Sequence, residues 1–192
     1  MTGILKLSTM KRQIINLAIA AITMSCFTLV ACNNSKRDQS IFAAATLTGT
    51  KPDTTVSGMA QFSSNGSTVK LTVQLTIPSM PNKAVAVHIH QNGNCGEIGQ
   101  AAGGHWNPTN QMHGKWGSGN YHLGDIGNIT LDAKGNGHLE METDKWTIGG
   151  DAQTNVLNHS IIVHNGTDDF VSQSSGNAGD RIGCGIIRRT TQ

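Results

Sequence analysis

From Ile41 onward the apolar positions recur in short, strand-like runs separated by turn formers. The patterning predicts strands at residues 43–50, 55–62, 68–77, 84–90, 126–132, 138–142, 156–164 and 181–187, with breaks such as Ser64-Asn65-Gly66, Pro78-Ser79-Met80-Pro81 and Gly135-Asn136-Gly137 between them. In the run Ala84-Val85-Ala86-Val87-His88-Ile89-His90, alternation puts Val85, Val87 and Ile89 on a core face and both histidines on the outer one. No stretch of this region longer than a turn has helical periodicity. The expected fold class is all-β: an eight-stranded antiparallel Greek-key β-barrel or sandwich with two long functional loops.

Those loops, residues 91–125 and 165–180, interrupt the rhythm. Structureless segments this long are uncommon in a compact domain unless function fixes them. The first contains nine glycines, Cys95, three histidines and Asp125; the second is rich in glycine and serine and leads directly to Arg181.

The N-terminal end follows another pattern. Lys11 and Arg12 precede an apolar run from Ile14 to Ala31 that closes on Leu29-Val30-Ala31-Cys32, which looks like a bacterial lipoprotein signal; an uncleaved membrane anchor is the alternative reading. The expected organisation is a signal peptide at 1–31, a lipid-bearing Cys32 opening a polar tether at 32–40, and one domain at 41–192. This places the protein in the cell envelope, anchored to a bacterial membrane on the periplasmic side. Asn33, rather than Asp, after the cysteine points to the outer membrane.

Without residues 1–31 the basic residues fall from 14 to 11 against 12 acidic ones, so the sequence pI of about 8.4 belongs largely to the signal. No basic stripe argues for nucleic acid as a partner. Cys26 leaves with the signal and Cys32 is the lipid site, so Cys95 and Cys184 most simply form one disulfide in an exported chain; two free buried thiols are the alternative.

Six of the eight histidines suit one site: His88, His90, His105, His113, His122 and His164, with Asp125 beside them. His122-Leu123-Gly124-Asp125 offers a nitrogen and an oxygen three positions apart around a glycine. With His105 and His113 it forms a closed set of three nitrogens and a carboxylate suited to zinc. Imidazole-only ligation by His88, His90, His164 and one shared histidine suits copper. His164 and His159 fall on opposite faces of a regular strand, which leaves His159, like His138, structural.

Taken together, His88-Ile89-His90, Ala102-Gly103-Gly104-His105-Trp106-Asn107-Pro108, His113-Gly114, His122-Leu123-Gly124-Asp125-Ile126-Gly127-Asn128, Val163-His164 and Gly176-Asn177-Ala178-Gly179-Asp180-Arg181-Ile182-Gly183-Cys184-Gly185 resemble the copper/zinc superoxide dismutases over residues 41–189. The resemblance implies that His88, His90, His105 and His164 hold copper, that His105, His113, His122 and Asp125 hold zinc, and that His105 is the bridge. It also implies that Asp168 links the two metal sites from behind, that Arg181 attracts and orients an anion, and that Cys184 is tethered to the first loop through Cys95. The implied function is dismutation of superoxide to oxygen and hydrogen peroxide in the envelope, with Arg181 and His105 catalytic. A non-enzymatic copper- and zinc-binding lipoprotein is the competing expectation, and a homodimer stays open. One departure from the better-known eukaryotic pattern is that loop 165–180 is short and has no lysine, which leaves the source of substrate steering undefined.

Overall fold

The computed structural model describes residues 40–191; the expected signal peptide, Cys32 and nearly all of the tether lie outside the described residues. Nine antiparallel strands follow: β1 (Ile41–Gly49), β2 (Ser57–Ser64), β3 (Val69–Thr76), β4 (Ala84–His90), β5 (Gly127–Thr130), β6 (Asn136–Thr143), β7 (Ser160–His164), β8 (Arg181–Ile186) and β9 (Arg188–Thr190). Their order across the sheet is β5-β4-β7-β8-β1-β2-β3-β6, with β9 pairing β1. The β3–β4 and β6–β7 connections therefore cross between non-neighbouring strands. A bridge between Leu131 and Gly137 brings the β5 and β6 edges together and nearly closes the barrel.

Alternation decides which side chains enter. In β3, Val69, Leu71, Val73 and Leu75 are buried, while Lys70 and Gln74 are exposed. They join Leu47, Phe62, Val85, Val87, Ile89, Ile161 and Val163 in one apolar core, and Trp106 and Trp146 pack into it from the loops. Trp146 also donates its indole N–H to the Leu123 carbonyl at 2.9 Å, which fixes the end of the first loop to the barrel.

The outer face of β4, β7 and β8 is covered as well. Ile162 and Cys184 form a second small cluster with Ala102, and Cys95 packs against it. The expected disulfide is present between Cys95 and Cys184, 89 residues apart, and clamps the first loop onto β8. A single 3₁₀ turn at Gln100–Ala102 lies inside that clamp.

Candidate metal centre

Parity puts His88 and His90 on the face of β4 opposite Val87 and Ile89, and the loops then bury them completely. His164 arrives on the neighbouring strand β7, where a register shift between Val163 and His164 ends regular pairing. His105 bridges directly to His90 from the first loop. Trp106 and Gly124 continue that contact: the Ile89 amide donates to the Gly124 carbonyl at 2.9 Å, and the Trp106 amide donates to the Ile89 carbonyl at 2.8 Å. A Cβ on Gly124 would sit 2.2 Å from the Ile89 carbonyl oxygen, so only glycine allows this approach.

Two groups result, and they share one residue. Donor atoms of His88, His90, His105 and His164 lie within 4.8 Å of one another, as do those of His105, His113, His122 and Asp125. In nearly every imidazole one nitrogen is already held. His88 Nε2 faces Asp168 Oδ2 at 2.9 Å, His90 Nδ1 the Gly103 carbonyl at 2.9 Å, and His164 Nδ1 the Gly179 carbonyl at 3.1 Å. On the other side, His113 Nε2 faces Asp168 Oδ1 at 2.9 Å and His122 Nε2 the Gln111 carbonyl at 3.1 Å. The opposite nitrogens point inward, and among the described residues His88 Nδ1, His105 Nε2, His113 Nδ1 and His122 Nδ1 are buried with no hydrogen-bond partner. Buried polar atoms are rarely left so. With His113 Nδ1 and His122 Nδ1 3.0 and 3.2 Å from the Asp125 oxygens and His164 Nε2 3.4 Å from His90 Nε2, the inward donors crowd into two groups that fit a pair of cations, the outer partners fixing each ring's tautomer.

Asp168 is the tie between the groups, since its two oxygens hold His88 and His113. It is itself clamped, because the Asn128 side-chain amide donates to its carbonyl at 2.9 Å and accepts from its backbone amide at 2.8 Å. A Cβ on Gly176, whose φ is +64°, would lie 1.8 Å from Asp168 Oδ1, so this carboxylate needs a glycine opposite it. Gln173 repeats the amide-to-peptide pairing on His113: Oε1 accepts from its amide at 2.8 Å and Nε2 donates to its carbonyl at 3.0 Å.

Burial suppresses positive charge here. It pulls His105 down to about 4 against the hydrogen bond to Asp125, and it pulls His164 down to about 3, helped by His88. His90 lies well below its ordinary value through burial and then through His105. Burial pushes the Asp125 carboxyl up, but its contacts with His105 and His122 outweigh that and hold it far below the carboxylate range. Histidines with depressed values take up protons more readily when unfolded, so their contribution is full above about pH 6.5 and shrinks as pH falls toward the folded values. The melting temperature of the metal-free protein is expected to fall steadily between pH 6.5 and 4; a flat profile across that window would count against neutral, buried imidazoles.

Beside the first group opens a cavity of about 260 Å³, lined by His90, His105, His164, Gln100, Ser174, Ser175, Asp180 and Arg181 among others. Arg181, half-buried, donates to the Gly99 and Gly103 carbonyls, each at 2.7 Å. The Gly103 carbonyl thus receives both His90 and Arg181. This joins the imidazole group to the one cationic side chain, other than histidine, on the cavity wall.

The sequence pattern of the family described as "Copper/zinc superoxide dismutase (SODC)" matches residues 56–187, more than half of the chain. The chain belongs to the copper/zinc superoxide dismutase family. Among curated relatives, the extracellular superoxide dismutase [Cu-Zn] of Haemonchus contortus is 30% identical, with 93% of this chain and 98% of the relative covered. The superoxide dismutase [Cu-Zn] of Humicola lutea is 36% identical over 76% of this chain and 96% of its own length. The extracellular superoxide dismutase [Cu-Zn] of Caenorhabditis elegans is 32% identical over 71% of this chain, which spans 63% of that relative. In three dimensions the chain superposes on the crystal structure of the clock protein EA4 with a TM-score of 0.66 at 25% identity, covering 76% of this chain and 92% of that one.

Family membership fits what the fold brings together. All seven ligand candidates, Asp168 and Arg181 converge, whereas His138 is exposed and His159 stacks on Trp106 at 4.7 Å between ring centroids. Sequence reading did not single out Gln173 or the Gly103, Gly179 and Gln111 carbonyls. A backbone acceptor has no side-chain signature, and Gln173 stands in a loop of serines and glycines without a distinguishing pattern.

Proposed function

We propose that the chain dismutates superoxide to oxygen and hydrogen peroxide, with copper held by His88, His90, His105 and His164 and zinc by His105, His113, His122 and Asp125. The observation that carries this reading is His105: its Nδ1 meets Asp125 Oδ1 at 2.7 Å in the second group, while its unpartnered Nε2 faces the first. An imidazole-only set suits copper, and three histidines with an aspartate suit zinc.

Copper bound there supplies a one-electron couple, by which one superoxide loses an electron and a second gains one together with two protons. The protein's residues do the rest. Arg181 presents a fixed cation where an anion enters, held in place by the carbonyls at its back. His105 lines the cavity, so its Nε2, when free of copper, would take up a proton in position for delivery to the incoming anion, while Nδ1 stays on the zinc side beside Asp125. Asp168 holds His88 and His113 at the same time, which keeps the two groups in register.

The test is metal content measured together with the second-order rate constant for superoxide on the purified domain. Copper and zinc near one each, with rapid removal of superoxide, is the expected result. Full metal content without activity would replace this reading with that of a metal-holding envelope protein.

Localisation outside the cytoplasm is supported by the two nematode relatives, both named as extracellular enzymes, and by the signal-like N-terminal end. In this proposal residues 1–31 are removed, Cys32 carries lipid and residues 33–40 tether the domain to the outer membrane. Cys32→Ser is expected to move the protein from the membrane fraction to the soluble one; an unchanged membrane-bound pool would sink the anchor assignment.

A further inference from the structure

The cavity beside His90, His105 and His164 has two full charges on its wall, and they are neighbours of opposite sign: Asp180 and Arg181. An acidic side chain next to the docking cation works against capture of an anion. Loop 165–180 contains no lysine to offset it, although steering of an anionic substrate by positive surface charge is a physical effect for which superoxide dismutases are a standard example. A lysine does reach Asp180, from a different part of the fold. Lys51 Nζ lies 3.6 Å from Asp180 Oδ2.

The turn after β1 holds Lys51 in that place. The Thr50 amide donates to the Ile182 carbonyl at 3.0 Å and the Thr50 hydroxyl to the Arg181 carbonyl at 2.7 Å, so the residue before Lys51 is fixed to the backbone of the docking arginine itself. On the Asp180 side, its amide donates to Asn165 Oδ1 at 2.8 Å. The carboxylate is 71% exposed and the lysine 37%, so as a salt bridge the pair adds little to stability. Its effect is on the field at the cavity mouth.

Resting on the dismutase reading, we infer that Lys51 is a guidance residue for the substrate anion: by cancelling Asp180 it leaves Arg181 as the uncompensated charge at the channel entrance. The β1–β2 turn thereby supplies the positive charge that the short second loop lacks. A unit charge several ångströms from the entry path, acting through water, changes capture of a monovalent anion by about two- to fourfold at low salt. The effect fades as the Debye length contracts.

The experiment follows the rate constant with superoxide, on copper- and zinc-loaded protein, across ionic strength. Lys51→Gln is expected to be about two- to fourfold slower than wild type at low ionic strength and to converge with it at high salt. The double variant Lys51→Gln/Asp180→Asn is expected to return close to wild type, because both charges of the pair are gone. Equal rates for Lys51→Gln and wild type at every salt concentration would overturn the inference. So would a deficit that persists at high salt or in the double variant, since that is the signature of a distorted turn. A second readout does not need turnover: titrating metal-free protein with inorganic phosphate while following the Arg181 Nε–H resonance. Lys51→Gln is expected to weaken phosphate binding by a similar factor, and unchanged affinity would count against the role. An inactive, fully loaded wild type would fail the dismutase reading, while the phosphate titration would still decide whether Lys51 shapes the field at Arg181.

Discussion

Arg181→Ile is expected to slow the reaction with superoxide by about ten- to a hundredfold, or about 1.4 to 2.7 kcal/mol, while copper and zinc content stay near wild type. The two outcomes separate because the side chain and the metal groups are connected only through a shared carbonyl. Arg181 donates to Gly103 and Gly99; it contributes no atom to either set of converging donors. Isoleucine removes the cation and its planar array of donors, yet leaves His88, His90, His105, His113, His122, His164 and Asp125 in place. His90 keeps its own hydrogen bond to Gly103. Arg181→Lys should recover part of the loss, since charge returns without the fork that engages two carbonyls at once. An unchanged rate in a fully metallated isoleucine variant would remove Arg181 from the mechanism.

Removing the disulfide is expected to act on both stability and rate. Cys95 and Cys184 close a loop of about 90 residues, for which chain entropy alone predicts a loss of about 4 to 5 kcal/mol in the variant Cys95→Ala/Cys184→Ala. In a domain of this size that lowers the melting temperature by about 10 °C or more. The second effect is local. Cys184 stands three residues after Arg181, and Cys95 begins the segment whose Gly99 and Gly103 carbonyls hold the guanidinium. Without the clamp, the arginine and its acceptors lie on separate pieces of chain, and the rate should fall even in molecules that keep their metals. Calorimetry with and without the bond, paired with rate measurements on loaded protein, checks both; an unshifted melting curve would show that the clamp is redundant.

Most of the barrel was legible because its strands bury one face. Strand β4 matches its expected limits, and β3 carries the regular alternation that the pattern requires. The last strand, Arg188–Thr190, escaped notice because all three residues are exposed; it runs on from β8 along β1, pairing with Phe42–Ala44 where β8 pairs with Thr48 and Gly49. Strand β7 was expected from residue 156 but starts at Ser160, since the Val156 amide pairs with Thr147 and Asn158 takes a positive φ of 65°. In the centre, the residues that donate inward were readable from type and motif. The backing was not: Gln173 and the glycine carbonyls act through backbone geometry that only the folded loops create.

The chain enters the barrel at Ile41, paired with Ser64, and reaches Gly49 beside Gly183 at the channel end. Nine residues at the rise of a strand separate these points by roughly 26 Å. A segment joined before Ile41 attaches at the pole opposite the cavity beside Arg181. Lengthening or exchanging that segment would therefore leave the cavity mouth, at the far end of the barrel, uncovered.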